Sequence, residues 1–224
     1  VSFLGGLLTV FSLPVLILFI TLRKYPYLVI IFFILLACSE SDIDSNDVEQ
    51  EIIYPREFYI THNSQNRRYI FYKPKDLPEN SPLVFVLHGY TSNSNNIMNY
   101  SGMNQVADEN GFVVAYPQGT RDDSNNRFFN VGYDFHGNVE VDDVGFIKEI
   151  ILSLRETYSL SETDVFATGM SNGGDMSYLL ACEASDVFKA IAPVAGMILQ
   201  SIYDTCTPAN PMPVFEIHGT EDYV

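Results

Sequence analysis

The chain has 224 residues, 28 of them acidic and 12 basic, and a formal net charge of −16. Such a charge repels phosphate backbones and anionic headgroups, which excludes nucleic acid as a partner and makes the acidity a matter of solubility. Once the apolar N-terminal region is set aside, about 170 residues remain, enough for one domain and too few for two.

The first residue is Val1 and no methionine precedes Met98, the pattern expected of a fragment or of a misplaced start. Residues 1–38 read as an N-terminal hydrophobic and signal region, with apolar stretches at 1–20 and 27–37 separated by Arg23 and Lys24. The second stretch has the basic flank and short apolar core of a signal peptide, and it ends in Leu35-Leu36-Ala37-Cys38. That quartet resembles a bacterial lipobox, which makes Cys38 the expected lipidation site and the mature N-terminus. A transmembrane hairpin built from both stretches is the alternative. Residues 39–55 are acidic and poor in aromatics, as expected of a flexible tether. The expected product is exported, lipid-anchored at the cell envelope or secreted, and meets the membrane only through this N-terminal region. In that oxidising setting Cys182 and Cys206 form an even pair and are expected to be bridged, with two free thiols as the alternative.

From residue 56 onward the pattern alternates strands with helices. Two β-branched and aromatic runs flank the polar turn 62–66, predicting a hairpin over 57–72. Residues 82–87 are continuously apolar, as in a strand buried on both faces. A helix over 103–109, broken by Gly111, leads to a strand at 112–116. Residues 120–141 show no period and predict a long functional loop, whose Phe128, Phe129, Tyr133 and Phe135 either line a substrate site or pack the loop. Asp142 and Asp143 precede a helix over 144–151 and are expected to cap it more readily than to catalyse. A strand at 164–168, a helix at 172–183 and strands at 190–195 and 213–217 complete an open, mainly parallel α/β sheet.

Gly169-Met170-Ser171-Asn172-Gly173 fits G-x-S-x-G. The pentapeptide is weak alone, but it lies between a predicted strand and a predicted helix, where a nucleophile elbow belongs. Ser171 is therefore the candidate nucleophile. The backbone N–H of Asn172 and one from Tyr90 or Thr91, after Gly89, are the candidate oxyanion donors. His88 ends a strand and is read as a structural hydrogen-bonder. Asp222 is the candidate acid, with Glu221 as the fallback. In this fold the base follows the acid in the chain, and no histidine follows Asp222. His62, His136 and His218 all precede it. The expectation is a catalytic domain over 56–224 that is C-terminally incomplete and whose general base lies beyond Val224.

Together the segments 87–89, 116–119, 141–146, 168–174, 191–196 and 218–222 resemble the esterase family that includes polyhydroxybutyrate depolymerases and the related feruloyl and acetylxylan esterases. The resemblance covers Ser81 to Asp222 in the family's order. It implies an α/β-hydrolase fold and carboxylic ester hydrolysis through an acyl-enzyme, on an ester substrate that can be polymeric. It also implies no metal or organic cofactor, and a bridge between Cys182 and Cys206. A serine peptidase of the same fold, or a non-catalytic glycan- or polymer-binding surface lipoprotein, are the alternatives.

Overall fold

The computed structural model describes residues 54–136 and 139–222. Cys38 and the signal region lie outside the described residues, as does the tether up to residue 53. Tyr54 belongs to the folded body: its ring meets Phe71 edge-on at 5.6 Å and its hydroxyl bonds that of Tyr158 at 2.5 Å. Tyr54 thus packs with the catalytic domain although it precedes the expected boundary at 56, because its aromatic side chain finds an apolar niche against the sheet.

The predicted hairpin is present as β1 (Arg56–His62) and β2 (Gln65–Tyr72), joined by Asn63 and Ser64, both at positive φ. Two consecutive residues of that kind make the tight turn whose twist matches paired strands. The central strands are β3 (Ser81–Leu87) and β4 (Val113–Pro117), and β4 is buried along its whole length. A two-stranded ribbon, β5 (Thr120–Arg121) and β6 (Arg127–Phe128), interrupts the long loop. After it come β7 (Leu160–Met170) and β8 (Ala190–Val194). The main sheet runs β1-β2-β4-β3-β7-β8, antiparallel as far as β4 and parallel from β4 to β8.

The expected strand at 213–217 is reduced to two parallel bridges, Val214 to Ile191 and Ile217 to Val194. Pro193 of β8 lies between the two bridges and has no N–H to donate across to this segment, so a continuous ladder cannot form. The segment nonetheless extends the sheet beside β8, through Phe215 N–H to Ile191 O at 3.0 Å and Ile217 N–H to Pro193 O at 3.0 Å.

Among the described residues five α-helices accompany these strands: α1 (Ser94–Ser101), α2 (Met103–Asn110), α3 (Asp143–Thr157), α4 (Asn172–Glu183) and α5 (Gln200–Thr205). Helix α3 buries Phe146, Ile147, Ile150, Ile151 and Leu154, a helical-period stripe that packs with Phe71, Phe85 and Leu87 of the sheet. Helices α1 and α5 were not predicted. The polar run Ser94-Asn95-Asn96 hides the start of α1, and its signal is a cap, with the Asn93 side chain accepting from Asn96 N–H at 2.9 Å. Among the described residues no helix is long and apolar enough to cross a membrane. Cys182 of α4 and Cys206 after α5 are joined in a disulfide, Cα to Cα 5.2 Å, which anchors α5 to the body.

Candidate active site

The parallel strands β3, β7 and β8 end together, and the segments leaving that edge carry the candidate chemistry, as in open α/β sheets generally. Ser171 stands between β7 and α4 with φ 52° and ψ −122°, a backbone conformation that costs a residue with a side chain about 1–3 kcal/mol. Its neighbours make the turn possible. A Cβ at Gly169 would collide with the Gly173 carbonyl, and one at Gly173 would collide with the Leu87 carbonyl. The Ser171 N–H donates to Val194 O at 2.9 Å, and its carbonyl accepts from Gly174 N–H at 2.6 Å and Asp175 N–H at 2.9 Å. The backbone is therefore held on three sides, while the hydroxyl caps nothing.

Gly89 brings the loop after β3 against this turn, since a Cβ there would lie 3.5 Å from Ser171 Cβ. Of the two candidate donors on that loop, Thr91 is already committed, its N–H donating to Arg127 O at 2.8 Å. Thr91 is thus corrected as an oxyanion donor: an N–H bound to a carbonyl has no proton left for a second anion. The Tyr90 and Asn172 N–H groups have no such partner among the described residues, and Asn172 opens α4, where the helix dipole favours negative charge.

His88 has the structural role read from its position. It is fully buried, Nδ1 donates to Gly89 O at 2.8 Å, and Nε2 accepts from Gly119 N–H at 3.0 Å, which defines one neutral tautomer. Burial pushes its pKa down to about 4, against the Gly89 carbonyl, which favours the protonated ring, and with help from the Arg127 cation.

Asp142 and Asp143 divide the duty assigned to both. Asp142 caps α3, accepting from Gly145 N–H at 2.7 Å, and also meets His62 Nε2 at 3.0 Å. Asp143 is corrected: instead of capping, it is buried, 2.5 Å from Arg67 Nη2, and accepts the Asn130 N–H at 2.7 Å. The Arg67 guanidinium lies over the Phe146 ring, 4.2 Å from its centre.

The aromatic loop folds back over the elbow. Phe128 and Phe129 are fully buried and serve as packing, whereas Phe135 is 69% exposed and stacks on Tyr133. Two polar anchors that sequence reading missed hold this loop. The Asn172 side chain bonds both the N–H and the carbonyl of Phe129, at 2.7 and 3.0 Å. The Tyr133 hydroxyl bonds the Asp175 carboxylate, which also accepts the Met197 N–H at 2.7 Å. Burial raises the Asp175 pKa, while these two donors oppose the rise. An asparagine and an acid in the first turn after a G-x-S-x-G serine were the available signals.

Asp222 lies on the same sheet edge, five residues after Ile217, with its carboxylate 3.6 Å from His218 Nε2. His218 also contacts Glu216 Oε1, at 3.2 Å. The structure therefore brings Asp222 and His218 together. His136 packs among Tyr90, Phe128, Tyr133 and Phe135; Asp122 lies 3.6 Å from its Nε2, and neither ring nitrogen has a hydrogen bond among the described residues. Among the described residues no imidazole hydrogen-bonds the Ser171 hydroxyl.

Strand order, elbow and the serine at its apex define an α/β-hydrolase fold. The chain belongs to the esterase PHB depolymerase family, whose model matches residues 67–214. Among curated relatives, it is 29% identical over 153 residues to the bifunctional acetylxylan esterase/xylanase XynS20E of Neocallimastix patriciarum. It is 31% identical over 137 residues to the poly(3-hydroxyalkanoate) depolymerase C of Paucimonas lemoignei, and 29% over 146 to the feruloyl esterase B of Piromyces equi. These matches cover 68%, 60% and 64% of this chain but only 21%, 32% and 26% of the relatives, so the chain spans less than a third of each. Of solved structures, native pOPH superposes with a TM-score of 0.60 at 18% identity, covering 76% of this chain and 68% of its own. The acetyl xylan esterase from Aspergillus awamori does so at 0.54 and 20%, covering 69% and 57%. At these identities the structural likeness speaks for the fold.

Proposed function

We propose that the protein is an exported serine esterase acting on carboxylic esters borne by a polymer, a polyhydroxyalkanoate or a feruloylated or acetylated polysaccharide. The observation that carries this reading is the left-handed Ser171 at the head of α4, with its hydroxyl and two neighbouring N–H groups free of hydrogen-bond partners among the described residues. In the proposed reaction Ser171 Oγ gives its proton to a histidine and attacks the ester carbonyl. The Tyr90 and Asn172 N–H groups hold the oxyanion, each worth roughly two to three decades in rate. The intermediate expels the alcohol, which takes the proton back from the histidine, and leaves an acyl-serine for water to cleave. Asp222 orients the histidine.

The base is proposed to be a histidine not contained in these 224 residues. His88 uses both nitrogens, His62 is held by Asp142, His136 is enclosed by Tyr90, Phe128, Tyr133 and Phe135 with Asp122 3.6 Å from its Nε2, and His218 precedes Asp222 in the chain and makes no hydrogen bond to Ser171 among the described residues. Export, and a lipid anchor on Cys38, rest on the lipobox-like quartet. A fluorophosphonate probe tests the nucleophile. The protein carrying the complete coding frame should be labelled on the peptide containing Ser171, and Ser171→Ala should abolish labelling. If that protein stays unlabelled, or the frame holds no further histidine, the esterase reading gives way to a non-catalytic polymer-binding protein.

A further inference from the structure

A second feature of the same sheet edge is an open hollow of about 560 Å³ lined by Arg68, Arg121 and Arg127, by one acid, Glu57, and by Asn95 and Gln118 among others. In a chain of net charge −16, three of the 12 basic residues converge on one depression. Glu57 pairs with Arg68 and accounts for one of them. Arg121 and Arg127 form no ion pair among the described residues. Arg121 donates to Asn125 O at 2.5 Å and Arg127 to Gly119 O at 3.1 Å, each through one of five N–H groups. The Asp122 carboxylate, next in sequence, is taken up by the Tyr90 hydroxyl and the Asn126 N–H. Buried Arg68 Nε has no hydrogen-bond partner among the described residues.

The N-terminus of α1 opens on the same hollow. Asn96 N–H is satisfied by Asn93 and Ser94 N–H by Gln118, whereas Asn95 N–H has no partner among the described residues. Two uncompensated guanidiniums and a helix N-terminus add positive potential at one place. Burial lowers the Arg127 pKa, and the neighbouring Arg121 and Arg68 cations lower it further. Arg121 and Arg127 are held near each other without a counter-ion of their own among the described residues.

We infer that this hollow is a carboxylate-binding subsite that engages an acidic group of the substrate or product away from the scissile ester. It adjoins the oxyanion loop, because the Arg127 carbonyl accepts the Thr91 N–H at 2.8 Å. Resting on the esterase reading, the subsite suits an oligomer long enough to place its ester at Ser171 and a carboxylate here. Two such molecules share this chemistry: a polysaccharide carrying a uronic acid, and a hydroxyalkanoate oligomer with a free terminal carboxylate. Planar guanidiniums grip a carboxylate through paired hydrogen bonds.

The test is binding by isothermal titration at low ionic strength to the full chain carrying Ser171→Ala, so that hydrolysis does not intervene. The probes are a uronic-acid-bearing xylo-oligosaccharide and its methyl ester, and a 3-hydroxybutyrate trimer and its methyl ester. One free acid should bind roughly tenfold tighter than its ester, and added salt should erode that preference. The pair that shows the preference identifies the source of the carboxylate. Arg121→Gln with Arg127→Gln should abolish it. The exposed Arg121→Gln alone, which leaves the fold untouched, should reduce it severalfold. Equal binding of acid and ester in both pairs, no binding of any probe, or a preference that survives both substitutions overturns the subsite. Because titration does not need turnover, a preference seen with the Ser171→Ala chain while fluorophosphonate fails to label the protein that retains Ser171 would sink the esterase reading and leave the subsite standing.

Discussion

The Asn172 side chain grips the peptide of Phe129 like a short piece of antiparallel strand, Oδ1 accepting its N–H at 2.7 Å and Nδ2 donating to its carbonyl at 3.0 Å. The residue after the candidate nucleophile is thereby tied to the loop that roofs the site. Both groups are buried, so Asn172→Ala should strand a donor and an acceptor and lower stability by about 2–4 kcal/mol. Urea unfolding monitored by circular dichroism measures this. A loss below about 0.5 kcal/mol would show that the clamp is replaced by water.

Ser171 pays for its position in backbone strain. Glycine accepts φ 52° without penalty, while alanine keeps the strain and loses only the hydroxyl. Ser171→Gly should therefore be more stable than Ser171→Ala by about 1 kcal/mol, with both unreactive toward fluorophosphonate. Equal melting temperatures for the two would mean that the elbow relaxes in the variants.

Asp143 and Arg67 form a buried ion pair. Removing one member leaves the other charge buried alone, which costs about 3–5 kcal/mol. Asp143→Ala should fall in that range by chemical denaturation. Replacing both at once, Arg67→Met with Asp143→Ala, should cost less than Asp143→Ala alone, which a double-mutant cycle detects.

The buried neutral His88 makes stability depend on pH. Its folded pKa is about 4, below the ordinary value of 6.5, so between those values the unfolded chain binds the proton that the native ring refuses. The stabilisation is complete above pH 6.5 and is lost as pH falls toward 4, a change of about 3 kcal/mol. In His88→Gln the unfolding midpoint should fall less steeply over that window. Parallel pH profiles for wild type and variant would contradict the assignment.

Much of the fold was legible because its signals are local. The apolar run before His88, the period of α3, the helix after Ser171 and the elbow glycines each declare themselves within a few residues, through backbone sterics and hydrophobic spacing. Asn172 and Asp222 could be named as candidates for the same reason.

What only the tertiary structure decided involves partners far apart in the chain. Thr91 and Tyr90 are equivalent in sequence, and it is Arg127, 36 positions from Thr91, whose carbonyl removes one of the two as a donor. Asp142 and Asp143 look alike until Arg67, on β2, reaches the second and leaves the first to cap α3. The convergence of Arg68, Arg121 and Arg127 has no spacing to announce it. Hydrogen bonds and ion pairs are short-ranged and directional, so their assignment waits on which distant segments the packed sheet brings within about 3 Å.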